Sequence, residues 1–346
     1  MSDLPNGSAV NGSKIVPVGP RAEKNEGRPA LPVLGAVLVC ALGGYVATTS
    51  LAFVAPAIVA FGLVSCAPRG LLREMLPGLL AALAVSAALG APSGAVAVAD
   101  CAIVCAVSFA VALAMVRGRL TPGASCIVMA ALTAAHLGVD ALAASMGGTT
   151  LVESVSQILA YVRQQVVEIN PSAAAQVDST VAVLEVMWPS GYVVAALAEG
   201  LMAQLGAWLA AAGRPEVSRP RLADFDLPLW TVAALVVSVA GLAVALTVPA
   251  APDAVLMVSA NLVMALRFAL LAQGMGVLSW FLEEKNVGAL GRTLAAVAGL
   301  YLEAQFIVVS IVGLVDVWAN FRHLVRGGQP GPTGNAEQDK EPANAG

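Results

Sequence analysis

The stretch LPVLGAVLVCALGGYVATTSLAFVAPAIVAFGLVSCA, from Leu31 to Ala67, contains no charged residue. About 20 apolar residues cross the hydrocarbon core of a bilayer as a helix. This stretch is therefore long enough for two crossings, with the small polar cluster Ala47-Thr48-Thr49-Ser50 between them. Comparable runs recur up to Phe321. Lipid is the solvent that tolerates such runs side by side, and it requires every backbone polar group to be satisfied within the chain. The expected fold is all-α, a polytopic transmembrane helix bundle.

Composition supports this reading. The chain is 58% hydrophobic and 12% charged, with a mean hydropathy of +0.83, where soluble proteins carry roughly 25% charged residues. The formal net charge of −4 gives no basic footprint for nucleic acid. The bilayer is the implied partner. Lysine is scarce while Ala, Gly, Val and Leu dominate, which points to a bacterial protein of the cytoplasmic (plasma) membrane. Cys40, Cys66, Cys101, Cys105 and Cys126 lie in or beside apolar runs, with neither disulfide nor zinc spacing, and read as small packing residues.

The apolar runs place spans at about 32–48, 51–66, 74–92, 95–116, 122–146, 189–212, 227–249, 254–282 and 292–321. Basic residues collect in alternate connections: Arg69 and Arg73, then Arg117 and Arg119, then Arg214, Arg219 and Arg221, then Lys285 and Arg292. With Lys14, Arg21, Lys24 and Arg28 in the first tail, this puts that tail and those connections in the cytoplasm. Nine crossings would leave Arg322 and Arg326 outside. About eight crossings with both termini inside are expected instead. Either 51–66 is then a short re-entrant piece, or the last segment does not cross once.

The connection 147–188 carries its own pattern. Leu151, Val155, Ile158, Val162, Val166 and Ile169 recur at helical spacing, with Glu153, Arg163 and Glu168 on the other face. Pro171 ends this helix and 172–187 reads as a second. The expectation is an extracytoplasmic helical hairpin that rests on the membrane surface, lids the bundle, or serves as a spacer.

Ionisable residues inside a span are costly and are functional candidates by default. Here they are Asp100, His136, Asp140, Glu199, Arg267 and Glu303, with Asn261 and Gln273 beside them. At about 1.5 Å per residue, Asp100 and Asp140 lie roughly 9 Å below the outer ends of their helices, and His136 and Glu199 roughly 15 Å below theirs. His136 and Asp140 share a helix face. Two readings stay open for this layer. One is an outward pocket for a cationic or hydrogen-bonding solute or for protons. The other is a set of internal pairs, such as His136 with Asp140, that hold the bundle together. Arg267 and Glu303 fall near the middle of successive spans, and a structural ion pair is expected. No Walker loop, nucleophile elbow or His-rich metal motif is present. No enzymatic activity, metal or cofactor is expected.

The last third carries an ordered set of features: Phe225-Asp226-Leu227-Pro228-Leu229-Trp230, Asn261-Leu262, Gln273-Gly274, and Gly313-Leu314-Val315-Asp316-Val317-Trp318-Ala319-Asn320-Phe321-Arg322. This resembles the YybS family of bacterial membrane proteins, the domain of unknown function DUF2232. The likeness is specific over about 215–326 and looser over 30–212. It departs at Leu302-Glu303 to Phe306, where family members often carry prolines. The signature residues Pro228, Trp230, Asn261, Gln273, Gly274, Asp316, Phe321 and Arg322 read as a helix start, interhelical hydrogen bonds and an anchor at the cytoplasmic face.

Composition, the order of spans and the resemblance together give a domain plan. A tail over 1–30 leads to a six-span bundle over 31–212, then a cytoplasmic loop at 213–226, the signature spans over 227–326 and a tail at 327–346. The first six spans resemble substrate-binding subunits of energy-coupling-factor vitamin transporters, and also the MreD cell-shape proteins. The first likeness implies a solute-binding or transport component with a membrane-protein partner. The second implies a scaffold in envelope or cell-shape processes.

Overall fold

The computed structural model describes residues 32–212, 217 and 220–324. The tails at 1–30 and 327–346 and most of the loop from 213 to 219 lie outside the described residues. The described chain is all-helical: α1 (Val33–Val46), α2 (Ala55–Cys66), α3 (Leu72–Gly90), α4 (Ala95–Val116), α5 (Pro122–Met146), α6 (Leu151–Ile169), α7 (Ala174–Ala211), α8 (Trp230–Thr247), α9 (Asp253–Glu284), α10 (Ala289–Phe306) and α11 (Val308–Ala319). Six of these, α3, α4, α5, α7, α8 and α9, are long and apolar enough to cross a bilayer. The connections 91–94, 147–173 and 248–252 share one end of the bundle, called here the hairpin face. The connections 67–71, 117–121 and 285–288 share the opposite face.

α1 and α2 depart from the two full spans expected of 31–67. At 14 and 12 residues they rise about 21 and 18 Å, short of a ~30 Å hydrocarbon core. α2 packs in the centre of the bundle, against α1, α3, α4 and α7, while α1 packs chiefly on α2 and α3 and leaves Leu34, Leu38, Leu42 and Tyr45 exposed. Gly206 of α7 sits on the Ala57 carbonyl so closely that a Cβ would strike backbone, the small-residue packing that substitutes for a hydrophobic drive in lipid. Two contacts fix the depth of the turn that joins them. Cys101 Sγ donates to the Ala47 carbonyl at 3.6 Å, and Ser108 Oγ donates to the Pro56 carbonyl at 3.2 Å. Counted from Ala95, the turn lies about 9 to 20 Å below the hairpin-face end of α4.

The hairpin of α6 and α7 differs from its expected form. α7 is one 38-residue helix that runs through Pro189 instead of a short helix followed by a span. At about 57 Å it reaches well beyond a bilayer, and α6 packs along its N-terminal half and touches the end of α5. Arg163 Nε donates to Asp178 Oδ1 at 2.5 Å between the two arms. α6 opens with a capping box: Glu153 N–H donates to Thr150 Oγ1, and Thr150 N–H donates to Glu153 Oε2. Those bonds hold the Glu153 carboxyl below its ordinary range.

The last segment, 292–321, is broken. Ile307 is left-handed, with φ +59°, and α10 and α11 meet at 99°. α10 starts just after α9 ends, at the face opposite the hairpin. After α11, Arg322 Nη1 donates to the Ala223 carbonyl at 2.6 Å, in the segment that leads into α8 at that same face. The pair enters and leaves on one side. The last segment is therefore not a single crossing, and helix length supports six crossings among the described residues in place of the eight expected.

Candidate functional site

Among the described residues, ionisable and carboxamide side chains at membrane depth gather at four places. The first is a layer shared by α4, α5 and α7. His136 Nε2 lies 3.2 Å from Glu199 Oε2, and its Nδ1 lies 3.7 Å from Asp100 Oδ1. Tyr192 donates its hydroxyl to Asp140 Oδ2 at 2.5 Å. The spacing explains the ladder. His136 and Asp140 stand one turn apart on α5, Tyr192 and Glu199 two turns apart on α7, and the two helices run antiparallel. Three of the four sequence candidates, Asp100, His136 and Glu199, meet, and Asp140 stands a turn nearer the hairpin face with Tyr192. His136, however, faces Glu199 and Asp100 instead of Asp140, which takes Tyr192.

The layer is acidic on balance. It holds three carboxylates against one imidazole, and that ring has carboxylate oxygen opposite both nitrogens. A neutral ring has one N–H and can serve only one of them. The side chains of His136 and Glu199 are largely buried, while Asp100 is 46% exposed. Among the described residues, no group of three or more His, Cys, Asp or Glu is placed to hold a metal ion.

The second place is the break between α10 and α11. Arg267 Nε donates to Glu303 Oε1 at 2.9 Å, and its Nη2 donates to the Glu303 carbonyl at 3.1 Å. Glu303 Oε2 accepts from Ser310 N–H at 2.9 Å, and Oε1 accepts from Ser310 Oγ at 2.7 Å. A helix interrupted in lipid leaves carbonyls on one side and N–H groups on the other without partners. Arg267 serves the end of α10, and Glu303 caps the start of α11. The pair is charge-balanced and its bonds are directed inward.

The third place is near the opposite face. Asp316 Oδ2 accepts from Arg322 Nη2 and from Gln273 Nε2, each at 2.8 Å, and Asp316 Oδ1 accepts from Phe321 N–H at 3.0 Å. Gln273 Oε1 accepts from Leu227 N–H at 2.9 Å, and Gln273 Nε2 also reaches Asp226 Oδ1 at 3.2 Å. Gly274 and Gly313 let α9 and α11 touch backbone to backbone just above this network. Leu227 N–H, Gln273, Gly274, Asp316, Phe321 and Arg322 thus form one joint that ties the start of α8 to α9 and α11. Pro228 lies just before α8 and Trp230 is its first residue, largely exposed.

The fourth place is Asn261. Its Oδ1 accepts from Ser190 N–H at 2.8 Å and from Ser190 Oγ at 2.6 Å, and its Nδ2 donates to the Val186 carbonyl at 2.7 Å. Residues 186 and 190 are an i, i+4 pair, so the carboxamide of α9 bridges the α7 turn that Pro189 weakens.

Tyr192, Ser190 and Ser310 did not stand out in the sequence. Tyr192 had a usable signal, since it is a polar-tipped aromatic seven residues before Glu199. Ser190 and Ser310 had none.

A multi-helix membrane protein with an acidic intramembrane layer and hydrogen-bonded structural joints is the class these features define. The chain belongs to the DUF2232 family, described as predicted membrane proteins, whose family model matches residues 31–317. No curated protein and no solved structure matches the chain.

Proposed function

We propose that this chain is a solute-binding component of the cytoplasmic membrane, with the α6–α7 hairpin outside and the Asp100, His136, Asp140 and Glu199 layer as the binding level for a small cation. The charge contrast carries the reading. The Arg267–Glu303 joint neutralises itself, and the buried Asp316 has a guanidinium against it with only the partly exposed Asp226 in addition, whereas the layer sets three carboxylates against one imidazole and no Arg or Lys. Uncompensated charge at membrane depth is expensive, and a bound cation would remove that cost. The alternating basic connections support the orientation. In a transport role of this kind a partner subunit would supply energy.

The test is thermal unfolding of the detergent-solubilised protein with small aliphatic amines and quaternary ammonium ions at constant ionic strength. A binder present at 100 times its Kd stabilises by about 2.7 kcal/mol. A saturable rise in Tm that Glu199→Gln and Asp140→Asn abolish is expected. No rise with any such cation, or the same rise in both variants, would overturn the proposal.

A scaffold role is the second reading, favoured by the apolar stripe that α6 leaves uncovered, with Ile158 and Ile169 at 61% and 84% exposure. Crosslinking from Ile158 that recovers only lipid would count against it.

A further inference from the structure

The α1–α2 turn stops short of the hairpin face, and the space above it needs an occupant. We infer that this space is an aqueous vestibule open to the hairpin face, floored by the turn at 47–54 and walled on one side by the acidic layer.

Three independent observations lead there. The first is depth. Ala47 is bonded to Cys101 and Pro56 to Ser108, so non-helical chain sits about 9 to 20 Å below the end of α4. Irregular backbone at that depth is tolerated only where it is buried in protein or lines water. Protein covers it only in part: Ala47 is buried, Thr48, Thr49, Ala52 and Val54 are half-buried, and Ser50, Leu51 and Phe53 are exposed.

The second is where burial begins. None of Ala95–Asp100 is buried, and the buried face of α4 starts at Cys101, the residue on which α1 ends. Above that level α4 has α3, α5 and α7 beside it but no longer α1 or α2.

The third is the position of polar groups. Glu199 is seven residues before Gly206, which packs on Ala57, so it stands about 10 Å nearer the hairpin face than that contact. Counting back from Ala57 through the 3-10 turn Ala52–Val54 brings the turn to about the same height. Asp100, half-exposed, precedes Cys101 directly. The hydroxyls of Thr48 and Thr49 donate to the carbonyls of Tyr45 and Val46 at 2.8 Å each, and Leu51 N–H donates to Thr49 Oγ1 at 3.2 Å. Side chains thus satisfy backbone groups of a turn that has left the helix.

The vestibule rests on the proposed cation site only for its sign of charge, not for its existence. A cleft lined with one sign of charge raises the local concentration of counter-ions by tenfold or more.

The experiment is thiol labelling in sealed membrane vesicles of both orientations. The background is Cys126→Ala, the other four cysteines being buried. Ser50→Cys is compared with Val237→Cys, a control 69% exposed on the apolar surface of α8, and with Tyr161→Cys on α6, which reports the side and the ordinary thiol reactivity. The probes are trimethylammonium-ethyl and sulfonatoethyl methanethiosulfonate.

Ser50→Cys should label from the side that labels Tyr161→Cys, while Val237→Cys stays unlabelled. Relative to Tyr161→Cys, the cationic reagent should be favoured over the anionic one by about tenfold, and Asp100→Asn with Glu199→Gln should erase that preference. Failure of Ser50→Cys to label, or labelling no faster than Val237→Cys, would overturn the vestibule while leaving amine binding to be judged by its own test. Labelling without charge preference would overturn its acidic character.

Discussion

Removing the Asp316 carboxylate should be among the costliest single polar changes in this protein. Asp316 and the Arg322 side chain are both fully buried, and one carboxylate receives bonds from Arg322, Gln273 and Phe321 N–H. Asp316→Asn turns an acceptor toward a cation that has no other full partner, since Asp226 stands 3.9 Å away and is partly exposed. Breaking a buried pair from one side costs about 3–5 kcal/mol. The partial help from Asp226 puts the expected loss near 3 kcal/mol, at the low end of that range. Arg322→Met should cost a similar amount. The double change Asp316→Asn with Arg322→Met removes both charges, keeps an acceptor for Gln273 and Phe321 N–H, and should recover most of it, because replacing a whole buried pair is often neutral. The assay is denaturant unfolding of the solubilised protein followed by tryptophan fluorescence, with Trp318 two residues from Asp316. A single-variant loss below about 1 kcal/mol, the scale of an exposed pair, would refute the reasoning. So would a double variant that loses the sum of the two.

Other expectations follow from the same geometry. Asn261→Ala removes the bridge across Val186 and Ser190 and should destabilise α7 by about 1–3 kcal/mol, seen as faster amide exchange over 180–190. Adding Pro189→Ala should restore protection by letting that turn close on its own. Glu303→Gln weakens the cap on α11 and its ion pair with Arg267 at once, so amide exchange at 308–311 should accelerate while α8 is unaffected. An unchanged rate would mean that Ile307, not Glu303, maintains the break. The capping box at α6 has a definite pH dependence. The Glu153 carboxyl is depressed in the folded chain, so its contribution is complete above the ordinary carboxylate value and is lost as pH falls through the folded one. Exchange over 150–155, corrected for intrinsic rate, should rise on acidification, and Thr150→Ala should flatten that response.

Much of this architecture was legible in the primary structure, and the exceptions have physical reasons. Apolar runs set the long helices because length alone decides whether a segment can cross lipid. The members of the acidic layer were legible for a related reason: an ionisable residue in such a run is costly unless it turns inward, and counting along each helix gives its height. Height is not rotation, which is why His136 was set against Asp140 when α7 presents Glu199 to it and Tyr192 to Asp140. The break at Ile307 had no local sign, since no proline or glycine marks 302–308; it is held open by Arg267 from another helix. Pro189 gave the opposite error, suggesting a helix boundary that Asn261, 72 positions on, prevents. Tertiary partners decided both cases.

The most direct test is equilibrium dialysis of a radiolabelled small amine against the purified protein, with a triple variant Asp100→Asn, Asp140→Asn and Glu199→Gln alongside. The account predicts one saturable site per chain, lost in the triple variant and retained in Glu303→Gln. Binding that survived the triple change, or none in the native chain, would contradict it.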